Sequence, residues 1–235
     1  MSAPPPLSTT APLEHVHADG RIARSGAAAE AARRAMVLVH GRGATAESIL
    51  TLAEALPDDL GFTFVAPGAS ESTTHPRSWY PHSFLAPTAA NEPGLSSALA
   101  RIGDTVDDLG GRGVPPEQVI LLGFSQGACL VTEFSARNPR RWGAVAALTG
   151  GLIGDRDDPR DHPGSLHGTP VFFGTSDRDP HVPLERVEES AEVLSRMGAE
   201  VETRIYPGLP HTVIQDELDW VADIMRRMAR DASTP

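Results

Sequence analysis

Five consecutive residues, Gly123-Phe124-Ser125-Gln126-Gly127, fit the pattern G-x-S-x-G. They follow an apolar run, Val119 to Gly123, and precede a helical one from Ala128, the strand, turn and helix context in which a serine hydroxyl is presented as an acyl-transfer nucleophile. Glycine on both sides fits a sharp turn that leaves no room for side chains. Because Ser125 opens a helix, the helix dipole and free N–H groups favour negative charge on a tetrahedral oxyanion bound to it. The competing reading of the motif taken alone is a glycine-rich turn with an N-capping serine.

Two further segments weigh against that competing reading. Val37-Leu38-Val39 runs into His40-Gly41-Arg42-Gly43, whose glycines let backbone amides approach a substrate. The N–H groups of Arg42 and Gln126 are then the expected oxyanion hole, each such donor contributing about 3 kcal/mol of transition-state stabilisation. A general base must follow, and His211 stands in a loop, Tyr206-Pro207-Gly208-Leu209-Pro210-His211, between the last apolar run and the last helical one. The acid that orients the base is expected between Thr175 and Pro183, where there are two candidates. Asp177 fits G-x-x-D counted from Gly174, and Asp179 fits the longer pattern D-P-x-V-P, which favours Asp179. The other carboxylate then supports the site or caps a turn. The acid holds the histidine tautomer and stabilises the imidazolium.

The elements that must position these residues are legible as alternation. Apolar runs at 35–39, 62–67, 118–124, 144–150, 169–174 and 201–206 suit strands buried on both faces. Between them lie helical spacings such as Leu95, Leu99, Ile102, Val106, Leu109 and Leu218, Val221, Met225, Met228. The expectation is an α/β fold with a mostly parallel central sheet, right-handed crossovers and helices on both faces. Residues 1–19 are rich in proline and alanine and read as a mobile tail, leaving residues 20–235 as one domain. No insertion is long enough for a lid domain, so an open cleft is expected, suited to short or medium acyl groups.

Composition narrows the function classes. The 235 residues are 40% hydrophobic and 22% charged, as in a globular protein. Lysine and arginine number 20 against 31 aspartates and glutamates, and a net charge of −11 repels phosphate backbones and anionic membranes, so no nucleic-acid partner is expected. No apolar run approaches the roughly 20 residues of a membrane span. The first residues carry neither the basic nor the apolar region of a secretory signal, which makes a cytoplasmic location the expectation. A homodimer is left open.

Other chemistry-bearing residues have plain alternatives. Trp79, Tyr80 and Phe84 cluster in the loop after the run 62–67, where ligands bind in open α/β sheets, so Trp79 and Tyr80 are candidate pocket walls; covering the core is the alternative. Nine histidines include His15, His17, His75, His82, His162, His167 and His181, but none has helical metal-ligand spacing, so no metal is expected. His181, beside the candidate acid, is a possible substrate contact. Asp155, Asp157, Asp158 and Asp161 lack the glycine and glutamate of an EF-hand loop. Cys129, the sole cysteine, sits in an apolar helical run and reads as an inert buried thiol.

Taken together, the segments HGRGATAESI, GFSQGACL, SDRDPHVPLERV and YPGLPHT resemble the phospholipase/carboxylesterase family of small α/β-hydrolases, over about residues 35 to 228. The resemblance implies an α/β-hydrolase fold and a serine hydrolase that needs no cofactor, acting on a small-molecule ester through Ser125, Asp179 and His211. Acyl-protein thioesterases of this family tend to have an apolar residue where Arg42 stands, and the SWYP and SDxDPHxP segments are more similar to a bacterial branch. Thioester or lysophospholipid cleavage by the same residues is the alternative activity, and a non-catalytic binding protein is the alternative of another class.

Overall fold

The computed structural model describes residues 16–28, 32–71 and 76–231. Seven strands form one sheet: β1 (Ile22–Gly26), β2 (Arg34–Val39), β3 (Phe62–Pro67), β4 (Val119–Phe124), β5 (Ala144–Leu148), β6 (Pro170–Thr175) and β7 (Glu200–Ile205), in the order β1-β3-β2-β4-β5-β6-β7. Only β1 runs antiparallel to its neighbour; every other pair is parallel. The helices are α1 (Ala46–Leu50), α2 (Gly94–Gly111), α3 (Gln126–Arg137), α4 (Leu184–Arg196) and α5 (Gln215–Asp231).

Strand periodicity divides the core into two layers. Val37, Val39, Leu121, Val145, Ala147, Val171 and Phe173 point to the face covered by α2, α3 and α4. Met36, Leu38, Ile120, Leu122, Ala146, Leu148 and Phe172 point to the face covered by α1 and α5. Because both faces are covered, the central strands are apolar at nearly every position, Arg34 at the start of β2, Thr63 in β3 and Thr175 at the end of β6 being exceptions, which is why their runs are continuous in the sequence. The α/β-hydrolase fold is thus present, and no inserted lid domain occurs among the described residues. None of the described helices is long and apolar enough to cross a membrane.

Two expectations need correction. The strand β1 has no counterpart in the apolar pattern, because as an edge strand it is largely exposed. The boundary of the proline-rich tail at residue 19 is too far along the chain. Residues 1–15 lie outside the described residues, but His17 is buried at 1% exposure and hydrogen-bonded to the body of the domain. Proline-rich composition carries no signal for a side chain that finds long-range partners.

The site follows from the strand order. After β2 the chain passes to β3 on one side and then crosses to β4 on the other, so the loops leaving β2 and β4 diverge and open a crevice at their carboxyl ends.

Candidate active site

Ser125 leaves β4 with φ 56° and ψ −118°, a backbone region that costs a non-glycine residue on the order of 1–3 kcal/mol and persists only where the surroundings enforce it. Here they do. The Ser125 N–H donates to Leu148 O on the adjacent strand at 3.0 Å, and Cys129 N–H donates to Ser125 O at 3.0 Å, starting α3. The flanking glycines permit the turn: a Cβ on Gly127 would lie 1.9 Å from Val39 O, and one on Gly123 would lie 2.2 Å from Gly127 O. β4 and α3 approach so closely that only hydrogen fits between them.

The loop after β7 carries His211, and the loop after β6 carries both candidate acids. His211 Nδ1 lies 2.7 Å from Asp179 Oδ2. The other oxygen, Oδ1, accepts the N–H groups of His181 and Val182 at 2.8 and 2.9 Å, so the carboxylate cannot rotate without losing two bonds. Burial pushes the Asp179 carboxyl up, but the hydrogen bond to His211 and the two backbone donors outweigh it and hold the group below the usual carboxylate range. An ionised Asp179 accepts a hydrogen bond from Nδ1–H, which keeps the proton on that nitrogen and leaves Nε2 of the neutral ring as the basic one. The His211 ring is confined by Phe124, whose centroid is 4.9 Å away, and by His181 edge-on at 4.9 Å. Asp177 is turned elsewhere: its Oδ1 accepts Gly208 N–H at 2.7 Å.

Ser125, His211, Arg42, Gln126, Tyr80 and His181 all line one cavity of about 540 Å³, closed elsewhere by Pro81, Phe84, Phe124 and Val182. Ala44, Gly41, Phe124 and His211 also border a neighbouring cavity of about 370 Å³ with Ile49, Leu52 and Val213. The site therefore offers two clefts on either side of the His211 and Phe124 rings. Gln126 is the first residue of α3, and its N–H has no partner within the helix.

Trp79, expected as a pocket wall, does not reach the cavity. It is fully buried, its indole N–H donates to His40 O at 3.0 Å, and its ring lies 4.9 Å from that of His40 and 5.3 Å from that of His17. Burial lowers the pKa of both histidines. Neutral rings suit their bonds: His17 Nδ1 accepts Ser70 N–H at 3.1 Å while Nε2 meets Trp79 O at 2.7 Å. Tyr80, the next residue, does line the cavity with its hydroxyl buried and without a hydrogen-bond partner among the described residues, and burial pushes the Cys129 thiol, which lines the same cavity, up to about 12. That thiol is not a nucleophile at neutral pH.

Among the described residues, no three histidine, cysteine, aspartate or glutamate side chains converge to hold a metal ion, while His15 and His75 lie outside them. Asp158 is a loop anchor, accepting Thr88 Oγ1 at 2.6 Å and Asp155 N–H at 2.8 Å.

Sequence reasoning missed what the side chains of Arg42 and Gln126 do. Arg42 donates to the carbonyls of Tyr80, Pro81 and His82, and Gln126 bonds the backbone of Trp79 and Tyr80. These partners are 38 to 47 residues away in the chain, and no local pattern announces them.

Residues 22–228 match the sequence profile of a family described as Phospholipase/Carboxylesterase. Acyl-protein thioesterase 1 of Saccharomyces cerevisiae is 28% identical over 230 residues, covering 87% of this chain and 96% of the relative. A solved structure of a phospholipase/carboxylesterase from Dyadobacter fermentans superposes with a TM-score of 0.82 at 42% identity, covering 88% of this chain and 96% of the other. The crystal structure of esterase PE8 gives a TM-score of 0.71 at 27% identity, with 88% and 97% covered.

Proposed function

The chain belongs to the phospholipase/carboxylesterase family, and from that premise we propose that it hydrolyses carboxylic esters of short to medium acyl chain through an acyl-enzyme on Ser125. The observation that carries this reading is the fixing of Asp179: one oxygen is tied by two backbone donors and the other is aimed at His211 Nδ1, in a loop that faces the same cavity as the strained Ser125.

In the proposed cycle Ser125 Oγ attacks the ester carbonyl carbon as His211 Nε2 takes its proton. Asp179 stabilises the resulting imidazolium, and the N–H groups of Arg42 and Gln126 bind the tetrahedral oxyanion. The carbonyl re-forms, the bond to the alcohol breaks, and His211 returns the proton to the departing oxygen. Water, deprotonated by the same nitrogen, then attacks the acyl-serine and releases the acid. Every step is served by side chains and backbone N–H groups of this chain.

The two clefts give the acyl and alcohol parts separate places, and a cavity of 540 Å³ falls within the usual range for small-molecule sites. Thioesters pass through the same acyl-serine, and the similarity to a yeast acyl-protein thioesterase keeps that activity as the second reading. The separating experiment measures kcat/KM for matched butyryl and octanoyl esters and thioesters. The proposal expects oxygen esters of the shorter chain to be cleaved most efficiently; a preference of tenfold or more for octanoyl thioesters overturns it in favour of the second reading.

A further inference from the structure

Two side chains, one from the loop after β2 and one from the first turn of α3, converge on one atom. The carbonyl oxygen of Tyr80 accepts from Arg42 Nη2 at 3.1 Å and from Gln126 Nε2 at 3.0 Å, beside a third donor, Ser78 Oγ, at 2.8 Å. The remaining contacts leave neither side chain free to turn. The forked, planar guanidinium of Arg42 also donates to Pro81 O at 2.9 Å and His82 O at 2.7 Å, so three successive carbonyls hold it. Gln126 Oε1 accepts Trp79 N–H at 3.0 Å, which fixes the amide with its nitrogen toward Tyr80 O. The segment they grip is itself pinned from three other places, by His17 on Trp79 O, by His40 O on the Trp79 indole and by Asn91 Oδ1 on His82 N–H.

We propose that the Tyr80 carbonyl is a brace for the oxyanion hole: by sharing it, the side chains of Arg42 and Gln126 hold their own backbone N–H groups at a fixed separation. The inference rests on the hydrolase reading and deepens it, making both residues positioning residues through their side chains as well as donors through their backbones. Arg42 stands between Gly41 and Gly43, the latter at φ +77°; the peptide that presents its N–H is held from within its own loop, Gly41 O meeting His40 Nδ1 at 2.8 Å and accepting Ala44 N–H at 3.2 Å, and the Arg42 side chain adds the tie to the distant segment 80–82. A hydrogen-bond donor that must meet an oxyanion contributes most when its direction is set before the charge develops.

The test uses Arg42→Leu, Gln126→Ala and the double variant, each of which keeps both backbone N–H groups. The expected result with p-nitrophenyl butyrate is a kcat lowered roughly tenfold to a hundredfold in each single variant, with KM changed less than about threefold, because the donors act on the transition state. Because both side chains act through one atom, the double variant is expected within about threefold of the worse single variant. Arg42→Lys, which can still donate to these carbonyls, is expected between wild type and Arg42→Leu. Arg42 is exposed, so Arg42→Leu does not put the fold at risk even if Gln126→Ala does. An unchanged kcat in Arg42→Leu, losses that multiply in the double variant, or an effect confined to KM overturns the brace. A wild-type protein that neither cleaves the ester nor reacts at Ser125 overturns the hydrolase reading and the brace with it.

Discussion

Asp177 accepts the backbone N–H of Gly208 at 2.7 Å, which ties the loop bearing the acid candidates to the loop bearing His211. Asp179, two residues on, bonds the imidazole itself. The two carboxylates therefore differ in what their loss removes. Asp179→Asn replaces the acceptor at Nδ1 and permits the wrong tautomer, so kcat/KM is expected to fall by roughly a thousandfold or more. Asp177→Asn keeps an oxygen for Gly208 and is expected to lose less than about tenfold. Steady-state kinetics on both variants checks the ranking, and the reverse order transfers the orienting role to Asp177.

Glu217 links pH to stability. It is 1% exposed, its Oε2 accepts Ile214 N–H at 2.9 Å, and burial raises its pKa to about 7. A carboxyl whose folded pKa lies above its unfolded value contributes stability that is fully present below the unfolded pKa and is lost as pH rises through the folded one. The window runs from about 4.5 to about 7, and its full depth is about 3 kcal/mol. Glu217→Gln, which can still accept from Ile214, removes this dependence. Urea unfolding at pH 5 and pH 8 should show the variant gaining on wild type at the higher pH; an equal difference at both pH values contradicts the assignment.

Gly127→Ala is expected to destabilise the fold by roughly 3 kcal/mol or more, since the added Cβ would stand 1.9 Å from the Val39 carbonyl and neither backbone can move without opening the junction of β2, β4 and α3. Thermal unfolding measures it. A variant as stable as wild type would mean that this packing is looser than described.

His17→Ala tests whether the segment before β1 belongs to the domain. The substitution removes the partner of the buried Trp79 carbonyl and leaves a void beside the indole, and a loss of about 2–4 kcal/mol is expected. An unfolding midpoint unchanged from wild type would return these residues to the status of a mobile tail.

The pattern of what was legible in the sequence has physical causes. The runs at β2, β3, β4, β5 and β6 were visible because strands covered on both faces must be apolar throughout, and Ser125 was visible because a sharp turn between strand and helix admits only small neighbours. β1 was hidden, since an edge strand reading Ile22-Ala23-Arg24-Ser25-Gly26 has little to bury. The aromatic segment was located, but which of its buried rings borders the cavity depends on alternation along an irregular loop, and so Trp79 and Tyr80 could not be told apart. His17 and the side chain of Gln126 act through partners 46 to 80 residues away, a distance at which composition and periodicity carry no signal.

The most direct measurement is covalent labelling by a fluorophosphonate, read by mass spectrometry of the intact protein and its peptides. The serine-hydrolase account predicts stoichiometric modification of Ser125 in the wild type, none in Ser125→Ala, and labelling slowed by at least about a hundredfold in His211→Ala, because the probe reacts only with an activated hydroxyl. An unlabelled wild type, or equal labelling of Ser125→Ala, would contradict it.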